Sequence, residues 1–199
     1  MGRFSRVRIA VLASGTGTLL EAMLEAGIDV ALVVVDRSCR ATEVAEAAGV
    51  ITEHVERTDF TPGFDRAAFT KDVMAVLAGH EIDLVAMAGW GTVFAEPIFD
   101  AYPHRILNTH PALLPSFPGW QAVRDAITAG VRVTGCTVHV ATLEVDAGPI
   151  LAQEAVPVLP DDDESALHER IKAVERRLYP DTIKAVLADP TILEGTTTT

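Results

Sequence analysis

Short apolar runs rich in β-branched residues recur along the first half of the chain and alternate with segments of helical spacing. The clearest runs are Arg8–Ala13, Asp29–Val35 and Asp83–Ala88. Between them, Thr18–Ala26 and Ala67–Leu77 place apolar residues three and four apart. Strands that are apolar on both faces are typical of a parallel sheet covered by helices. The sequence therefore predicts an α/β fold with a doubly wound, mostly parallel sheet and helices on both faces.

The last third of the chain has a different pattern. Thr134–Val140 and Ile150–Val156 read as strands, and only nine residues separate them. A helical crossover between parallel strands needs about a dozen residues, so we expect this pair to be antiparallel. Glu164–Leu187 follows as a long closing helix, with an apolar stripe at Leu167, Ile171, Val174 and Leu178. We expect one domain over residues 1–189 and a polar, flexible tail over residues 190–199.

Composition limits the classes of function. The chain has 199 residues, of which 49% are hydrophobic, and its 28 acidic and 16 basic residues give a net charge of −12. That charge repels a phosphate backbone, so we expect no nucleic-acid partner. No apolar stretch reaches the roughly 18 residues of a membrane span. With two cysteines and no metal-ligand spacing, we expect a cytoplasmic protein without a metal. The sequence allows a homodimer and assigns no surface to it.

A glycine-rich segment, Ser14–Thr18, connects the first apolar run to the first helix. Glycines let a backbone approach a ligand closely, and free N–H groups at a helix start attract anions. The segment matches neither a dinucleotide fingerprint nor a Walker A loop. It predicts either a phosphate site or a tight turn capped by Thr16 or Thr18.

Three polar residues are candidates for catalysis. Asn108 and His110 are two apart in an extended segment, so their side chains point to the same side of a strand. An amide beside a protonated imidazole could hold a developing oxyanion. Asp146 lies in the loop between the two late strands, and it would favour the imidazolium if that loop folds over His110. The alternative is a structural histidine, an asparagine that caps a turn and an ordinary turn aspartate.

Other residues are open to two interpretations. Glu175 flanks the apolar stripe of the closing helix, where it either reaches a ligand or lies at the edge of the core. Trp90, Val93 and Phe94 could form an apolar pocket for a flat ring or could cover the core. We assign no role to the remaining histidines, which are His54, His80, His104, His139 and His168.

Taken together, these segments resemble the phosphoribosylglycinamide formyltransferases, folate-dependent enzymes of purine synthesis. The resemblance rests on Ser14–Gly17, on Asn108–Gly119 (NTHPALLPSFPG), on Val133–His139 (VTGCTVH) and on Glu144–Ile150 (EVDAGPI), in that order. It extends from about Arg8 to Leu187, which is nearly the whole chain.

The resemblance implies attack of the glycinamide ribonucleotide amine on 10-formyltetrahydrofolate, without a metal or a covalent intermediate. Asn108 and protonated His110 would stabilise the oxyanion, and Asp146 would orient His110. The substrate phosphate would lie at the loop and the ribose at Glu175; the loop residues are Gly15, Thr16, Gly17, Thr18 and Leu19. The residues implied for the folate site are Arg66, Gly91, Thr92, Val93, Phe94, Thr142, Leu143, Glu144 and Val145.

The chain departs from the family pattern at several positions. Gly91-Thr92 stands where Met-Arg is usual, Gln121 where a histidine is frequent, and Thr16 and Thr18-Leu19 where Asn and Ser-Asn are frequent. Three other functions remain open. A formyltetrahydrofolate hydrolase has an additional N-terminal domain, and methionyl-tRNA formyltransferase has a C-terminal RNA-binding domain; we expect neither here. A non-catalytic nucleotide- or folate-binding protein would not need the Asn-His-Asp set.

Overall fold

The computed structural model describes residues 7–194. The strands are β1 (Ile9–Ala13), β2 (Val30–Val35), β3 (Thr52–His54), β4 (Leu84–Met87), β5 (Ile106–His110), β6 (Val133–Val140) and β7 (Ile150–Pro157). The helices are α1 (Thr18–Glu25), α2 (Arg40–Ala47), α3 (Arg66–Gly79), α4 (Pro97–Ala101), α5 (Ala122–Thr128), α6 (Glu164–Ala188) and α7 (Thr191–Glu194). The strand order is β3-β2-β1-β4-β5-β6-β7. The predicted fold class is confirmed.

The chain divides into two compact units, the first ending at Ile106 and the second beginning at Leu107. In the first unit β1 pairs in parallel with β2 and β4, and β2 pairs in parallel with β3. Every residue of β1 is buried, as expected of a strand that is apolar on both faces. Because β1 lies between β2 and β4, the strand order reverses there, and this is where ligands bind in doubly wound folds.

The second unit is built on antiparallel pairing. The predicted antiparallel arrangement of the two late strands is confirmed, and β6 also pairs antiparallel with β5. Helix α6 contacts both β6 and β7. On the stripe of α6, Leu167 and Ile171 are buried with Cys136 in one core cluster, while Val174 and Leu178 are partly buried against it.

Several details differ from the sequence-based predictions. The short helices α4 and α5 were not predicted, because five and seven residues are too few for a clear helical period. Part of the predicted tail is ordered: α7 buries Leu193, and Asp189 accepts a hydrogen bond from the backbone N–H of Thr191. Residues 195–199 of that tail lie outside the described residues. The single domain over residues 1–189 stays a prediction, since the chain divides into two units after Ile106.

Among residues 7–194, no helix is both long and apolar enough to cross a membrane.

Gly135 of β6 provides a test of the packing in the second unit. A Cβ at this position would overlap the carbonyl oxygen of Glu154 on β7 and lie 2.5 Å from Cδ2 of Leu113. We expect Gly135→Ala to lower the free energy of unfolding by about 1–3 kcal/mol, because backbone on one side cannot move away. Urea denaturation measures the change. Gly79→Ala, in open space at the end of α3, is the matched control; equal stability of the two variants would contradict the packing argument.

Candidate active site

In the first unit, the glycine-rich loop forms the connection between β1 and α1. Gly17 is the N-cap of α1, with φ of 72°, and no side chain caps the helix. The alternative of a cap by Thr16 or Thr18 is therefore wrong. Glycine is required at position 17 for two reasons: its φ is left-handed, and a Cβ would come within 2.9 Å of the Ala41 Cα. The N–H groups of the first turn of α1 are consequently left for a ligand or solvent.

A buried carboxylate connects this loop to the segment after β4. Asp36, which follows β2, is fully buried. It accepts hydrogen bonds from the guanidinium of Arg37 (2.8 and 3.0 Å), from Thr92 Oγ1 (2.8 Å) and from the Ser14 hydroxyl. Ser14 Oγ in turn accepts the N–H of Gly91 at 2.7 Å. Burial opposes ionisation of Asp36, but the hydrogen bonds outweigh it and lower its pKa. The Asp36 carboxylate therefore fixes the ends of β1 and β2 and the post-β4 segment together.

The residues after β4 take different positions. Trp90 and Phe94 are buried and stack on each other at a centroid distance of 5.7 Å, and Trp90 also stacks on Phe69. These two aromatic rings therefore cover the core. Thr92 is buried in the Asp36 network, and Gly91 and Val93 are partly exposed beside it. Arg66 lies at the first position of α3, where it is exposed.

In the second unit, the loop after β6 brings Asp146 to the end of β5. The Asp146 Oδ2 atom lies 3.3 Å from Nδ1 of His110, and both side chains are nearly fully buried. The same oxygen accepts the N–H of Gly119 at 2.8 Å. On the other side of the imidazole, Nε2 lies 2.7 Å from the carbonyl oxygen of Phe117. Because a carbonyl only accepts, Nε2 carries a proton, and both ring nitrogens of His110 face oxygen acceptors.

Asn108 is oriented by a histidine to which the sequence analysis assigned no role. Asn108 and His139 are directly opposite each other in the β5–β6 pair, so their side chains share a face. His139 Nδ1 donates to the carbonyl of Val140 at 3.0 Å, which leaves Nε2 to accept the Nδ2–H of Asn108 at 3.2 Å. Burial lowers the pKa of His139 and keeps it neutral, as this acceptor role requires. His139 Nε2 also lies 3.6 Å from Asp146 Oδ1.

The proline-rich loop that follows β5 is held from β6 and β7. Thr137 Oγ1 donates to the carbonyl of Ala112 at 2.6 Å and accepts the N–H of Leu114 at 3.1 Å. Gln153 donates to the carbonyl of Leu114 and to Thr137 Oγ1. These bonds position the carbonyl of Phe117 against His110, and they were not foreseen from the sequence because they depend on strand register.

Residues 142–145 form an open loop ahead of Asp146. Thr142 Oγ1 donates to the carbonyl of Glu144 at 2.9 Å, and the side chains of Leu143 and Val145 are about half exposed, at 52% and 47%. Asp146 itself has a left-handed φ of 57°. Such a conformation costs on the order of 1 kcal/mol for a residue other than glycine, and its bonds to Gly119 and His110 hold it there.

Glu175 of α6 contacts the opposite face of β5. Thr109 points away from Asn108 and His110, and its hydroxyl donates to the Glu175 carboxyl group. Thr109 Oγ1 also lies 3.3 Å from Cys136 Sγ, whose pKa burial raises to about 12, so the thiol remains protonated. Burial raises the pKa of Glu175, and the Thr109 hydrogen bond only partly opposes this.

Comparison with known proteins identifies the family. A family model for formyl transferases matches residues 7–183. The chain belongs to the formyl transferase family. It is 45% identical to the phosphoribosylglycinamide formyltransferase of Mycobacterium tuberculosis over 197 residues, which cover 96% of this chain and 90% of that relative. The family inferred from the sequence motifs is thus confirmed.

Solved structures with two different activities in their names share the fold of this chain. Glycinamide ribonucleotide transformylase 1 from Symbiobacterium toebii matches with a TM-score of 0.86 and 42% identity, covering 92% of this chain and 88% of that chain. A formyltetrahydrofolate deformylase from Pseudomonas syringae matches with a TM-score of 0.85 and 26% identity, covering 94% and 63% of the respective chains. The fold alone therefore does not separate transfer from hydrolysis.

The site of this formyl transferase offers hydrogen-bond donors and a carboxylate. Within residues 7–194, no group of three or more His, Cys, Asp or Glu side chains is arranged to hold a metal ion. The second Nδ2–H of Asn108 has no acceptor among the described residues and is available to an oxygen of a ligand. An amide N–H and an imidazole with a proton on Nε2 can stabilise negative charge on a carbonyl oxygen, and the buried carboxylate orients the imidazole.

The raised pKa of Glu175 makes stability depend on pH. At Glu175 the folded state binds the proton more tightly than the unfolded state, so the contribution of this residue to stability falls as pH rises above about 4.3, the ordinary glutamate value. Glu175→Gln removes this dependence. We expect its free energy of unfolding, relative to the unsubstituted chain, to increase from pH 4 to pH 8 in urea denaturation. Glu46→Gln, on the exposed side of α2, is the control; the same pH trend in both variants would rule out burial as the cause.

Proposed function

We propose that this chain transfers the formyl group of 10-formyltetrahydrofolate to the amine of glycinamide ribonucleotide, a step of purine biosynthesis. The observation that carries the proposal is the convergence of His110, Asp146 and Asn108 at the end of β5, with Asp146 Oδ2 3.3 Å from His110 Nδ1. The names of the relatives, phosphoribosylglycinamide formyltransferases, point to the same pair of substrates.

In the proposed reaction, the amine nitrogen attacks the formyl carbon directly. A tetrahedral intermediate forms with negative charge on the former carbonyl oxygen. The bond from carbon to N10 of the folate then breaks, and N10 gains a proton as the attacking amine loses one. No covalent bond to the protein is required, because the amine itself is the nucleophile.

Asn108 and His110 stabilise the negative oxygen in this proposal. The free Nδ2–H of Asn108 is oriented by the acceptor Nε2 of His139. The Nε2–H of His110 is donated to the Phe117 carbonyl at 2.7 Å, so the substrate oxygen competes with that carbonyl for the same proton. Asp146 Oδ2, 3.3 Å from Nδ1, orients the ring from its other side. Its near-complete burial strengthens that interaction, since the local dielectric constant is low.

The remaining predicted residues bind the two substrates. We assign the phosphate of glycinamide ribonucleotide to Gly15–Leu19, where the N-cap is an uncapped glycine. We assign its ribose to Glu175. The folate contacts are the segment Gly91–Phe94, Arg66 and the loop 142–145, whose exposed Leu143 and Val145 provide apolar surface. For a protein of this family, purine synthesis from soluble substrates is consistent with a cytoplasmic location.

Hydrolysis of formyltetrahydrofolate is the second candidate, because the deformylase from Pseudomonas syringae shares the fold. A formyl-transfer assay with and without glycinamide ribonucleotide separates the two. We expect tetrahydrofolate release that depends on the acceptor and formation of one formylated product per folate released. Release at a comparable rate without the acceptor would establish hydrolysis instead. Binding of both ligands with no release in either arm would favour the non-catalytic alternative.

Substitutions in the site test the assigned roles. We expect His110→Ala and Asp146→Asn each to lower kcat by about 100-fold or more with a modest change in KM, because the lost interaction is made mainly in the transition state. Steady-state kinetics with both substrates provide the measurement. His54→Ala, exposed at the end of β3, is the control and should retain full activity. Near-normal turnover in both site variants would disprove the assignment.

A further inference from the structure

Arg57 is an arginine whose position suggests a ligand and to which the sequence analysis gave no role. It follows β3, and its guanidinium lies 4.6 Å from the ring centroid of Phe60 and 4.5 Å from that of Phe64. Its Nε donates to the carbonyl of Asp59 at 3.0 Å, and one terminal nitrogen lies 3.3 Å from Thr92 Oγ1. Two rings and two hydrogen bonds therefore fix the orientation of the guanidinium before any ligand arrives.

The charge of Arg57 is not balanced by an ion pair. Among residues 7–194, the ion pairs within 4.0 Å do not include it. Asp59 is the nearby acid; its carboxylate accepts the N–H of Thr61 at 2.7 Å and interacts with the Arg57 charge without forming an ion pair within 4.0 Å. Arg37, which also lies over Phe60 at 5.0 Å, is paired on two sides with Asp36. Arg57 is thus an oriented and partly buried cation without a carboxylate within 4.0 Å among the described residues.

We propose that Arg57 binds the carboxylate of the glutamate tail of the folate, and so selects folates that carry glutamate. This inference rests on the proposed function, which assigns Gly91–Phe94 to the folate. Arg57 contacts that segment at the Thr92 hydroxyl and, at 3.5 Å, at the Gly91 carbonyl. A guanidinium matches a carboxylate with two parallel hydrogen bonds, and its remaining terminal nitrogen has no partner among the described residues.

The exposure of Phe60 favours a folate carboxylate, rather than an isolated anion, as the ligand of Arg57. The Phe60 side chain is 58% exposed although it is large and apolar. In a folate the glutamate is joined to an aminobenzoyl ring, so a cation beside an exposed aromatic surface matches two adjacent parts of one molecule. The phosphate of glycinamide ribonucleotide is the other anion in the reaction, and the experiment separates it from the folate carboxylate.

The test compares ligands with and without glutamate. Equilibrium binding of tetrahydrofolate and of tetrahydropteroate, which lacks glutamate, is measured by tryptophan fluorescence for the unsubstituted chain and for Arg57→Gln. We expect Arg57→Gln to weaken tetrahydrofolate binding by about tenfold to a hundredfold and to leave tetrahydropteroate binding unchanged. The KM for glycinamide ribonucleotide should also stay unchanged. Equal weakening of both folates, or a rise in that KM alone, would overturn the proposal.

Two further variants test whether the effect of Arg57→Gln on folate binding is only structural. Arg105→Gln removes an arginine that also lies over an aromatic ring, Tyr102 at 5.5 Å, and that bonds backbone carbonyls; we expect it to keep the preference for glutamate. Arg57→Lys retains the charge and should keep part of that preference. The assignment would be contradicted if Arg105→Gln lost the preference for glutamate as much as Arg57→Gln does. It would also be contradicted if Arg66→Gln lost that preference and Arg57→Gln kept it.

The unsubstituted chain gives an independent measure. Its affinity for tetrahydrofolate should fall with added salt more steeply than its affinity for tetrahydropteroate, because salt screens a partly exposed ion pair. Identical salt dependence would overturn the proposal. Glutamate-dependent binding without formyl transfer would contradict the proposed reaction and support Arg57. Formyl transfer with no effect of Arg57→Gln would contradict the Arg57 assignment alone.

Discussion

The geometry of the candidate site depends on the contacts of the Asp146 carboxylate. It is buried beside two imidazoles, 3.3 Å from His110 and 3.6 Å from His139, and it accepts the N–H of Gly119. A buried charge is costly unless it is hydrogen-bonded or paired. The loop after β6 therefore has its lowest free energy when Asp146 reaches the end of β5, even though the aspartate must adopt a left-handed backbone. The same contact that satisfies the carboxylate orients the ring of His110.

A second buried carboxylate organises the first unit in the same physical way. Asp36 collects hydrogen bonds from Arg37, Thr92 and Ser14. Thr92 lies on a segment to which we assign the folate, and Ser14 directly precedes the loop to which we assign the phosphate. Thr92 and Arg37 both donate to Asp36, so the charge of Arg37 is paired. Arg57 is positioned by aromatic rings instead, and its charge remains available.

Part of the fold and of the site could be predicted from local sequence. The apolar runs and their spacing predicted the parallel strands, the antiparallel late pair and the closing helix, because burial on one or two faces leaves a period in the sequence. They did not predict α4 and α5, which are too short to show one. The alternation of side chains along a strand placed Asn108 and His110 on one face. His139 was missed because its role comes from pairing opposite Asn108, a register that no spacing within either segment reveals.

The sequence by itself determined the type of fold, the family and the candidate site residues, since these follow from local periodicity and from motifs with fixed internal spacing. Only the tertiary structure decided which of those residues meet. It paired His110 with Asp146 and Asn108 with His139, buried Trp90 and Phe94 in the core, and left Arg57 charged beside an exposed ring. The reason is that hydrogen bonds and ion pairs between distant segments depend on strand register and loop closure, which are set by the packing of the whole unit.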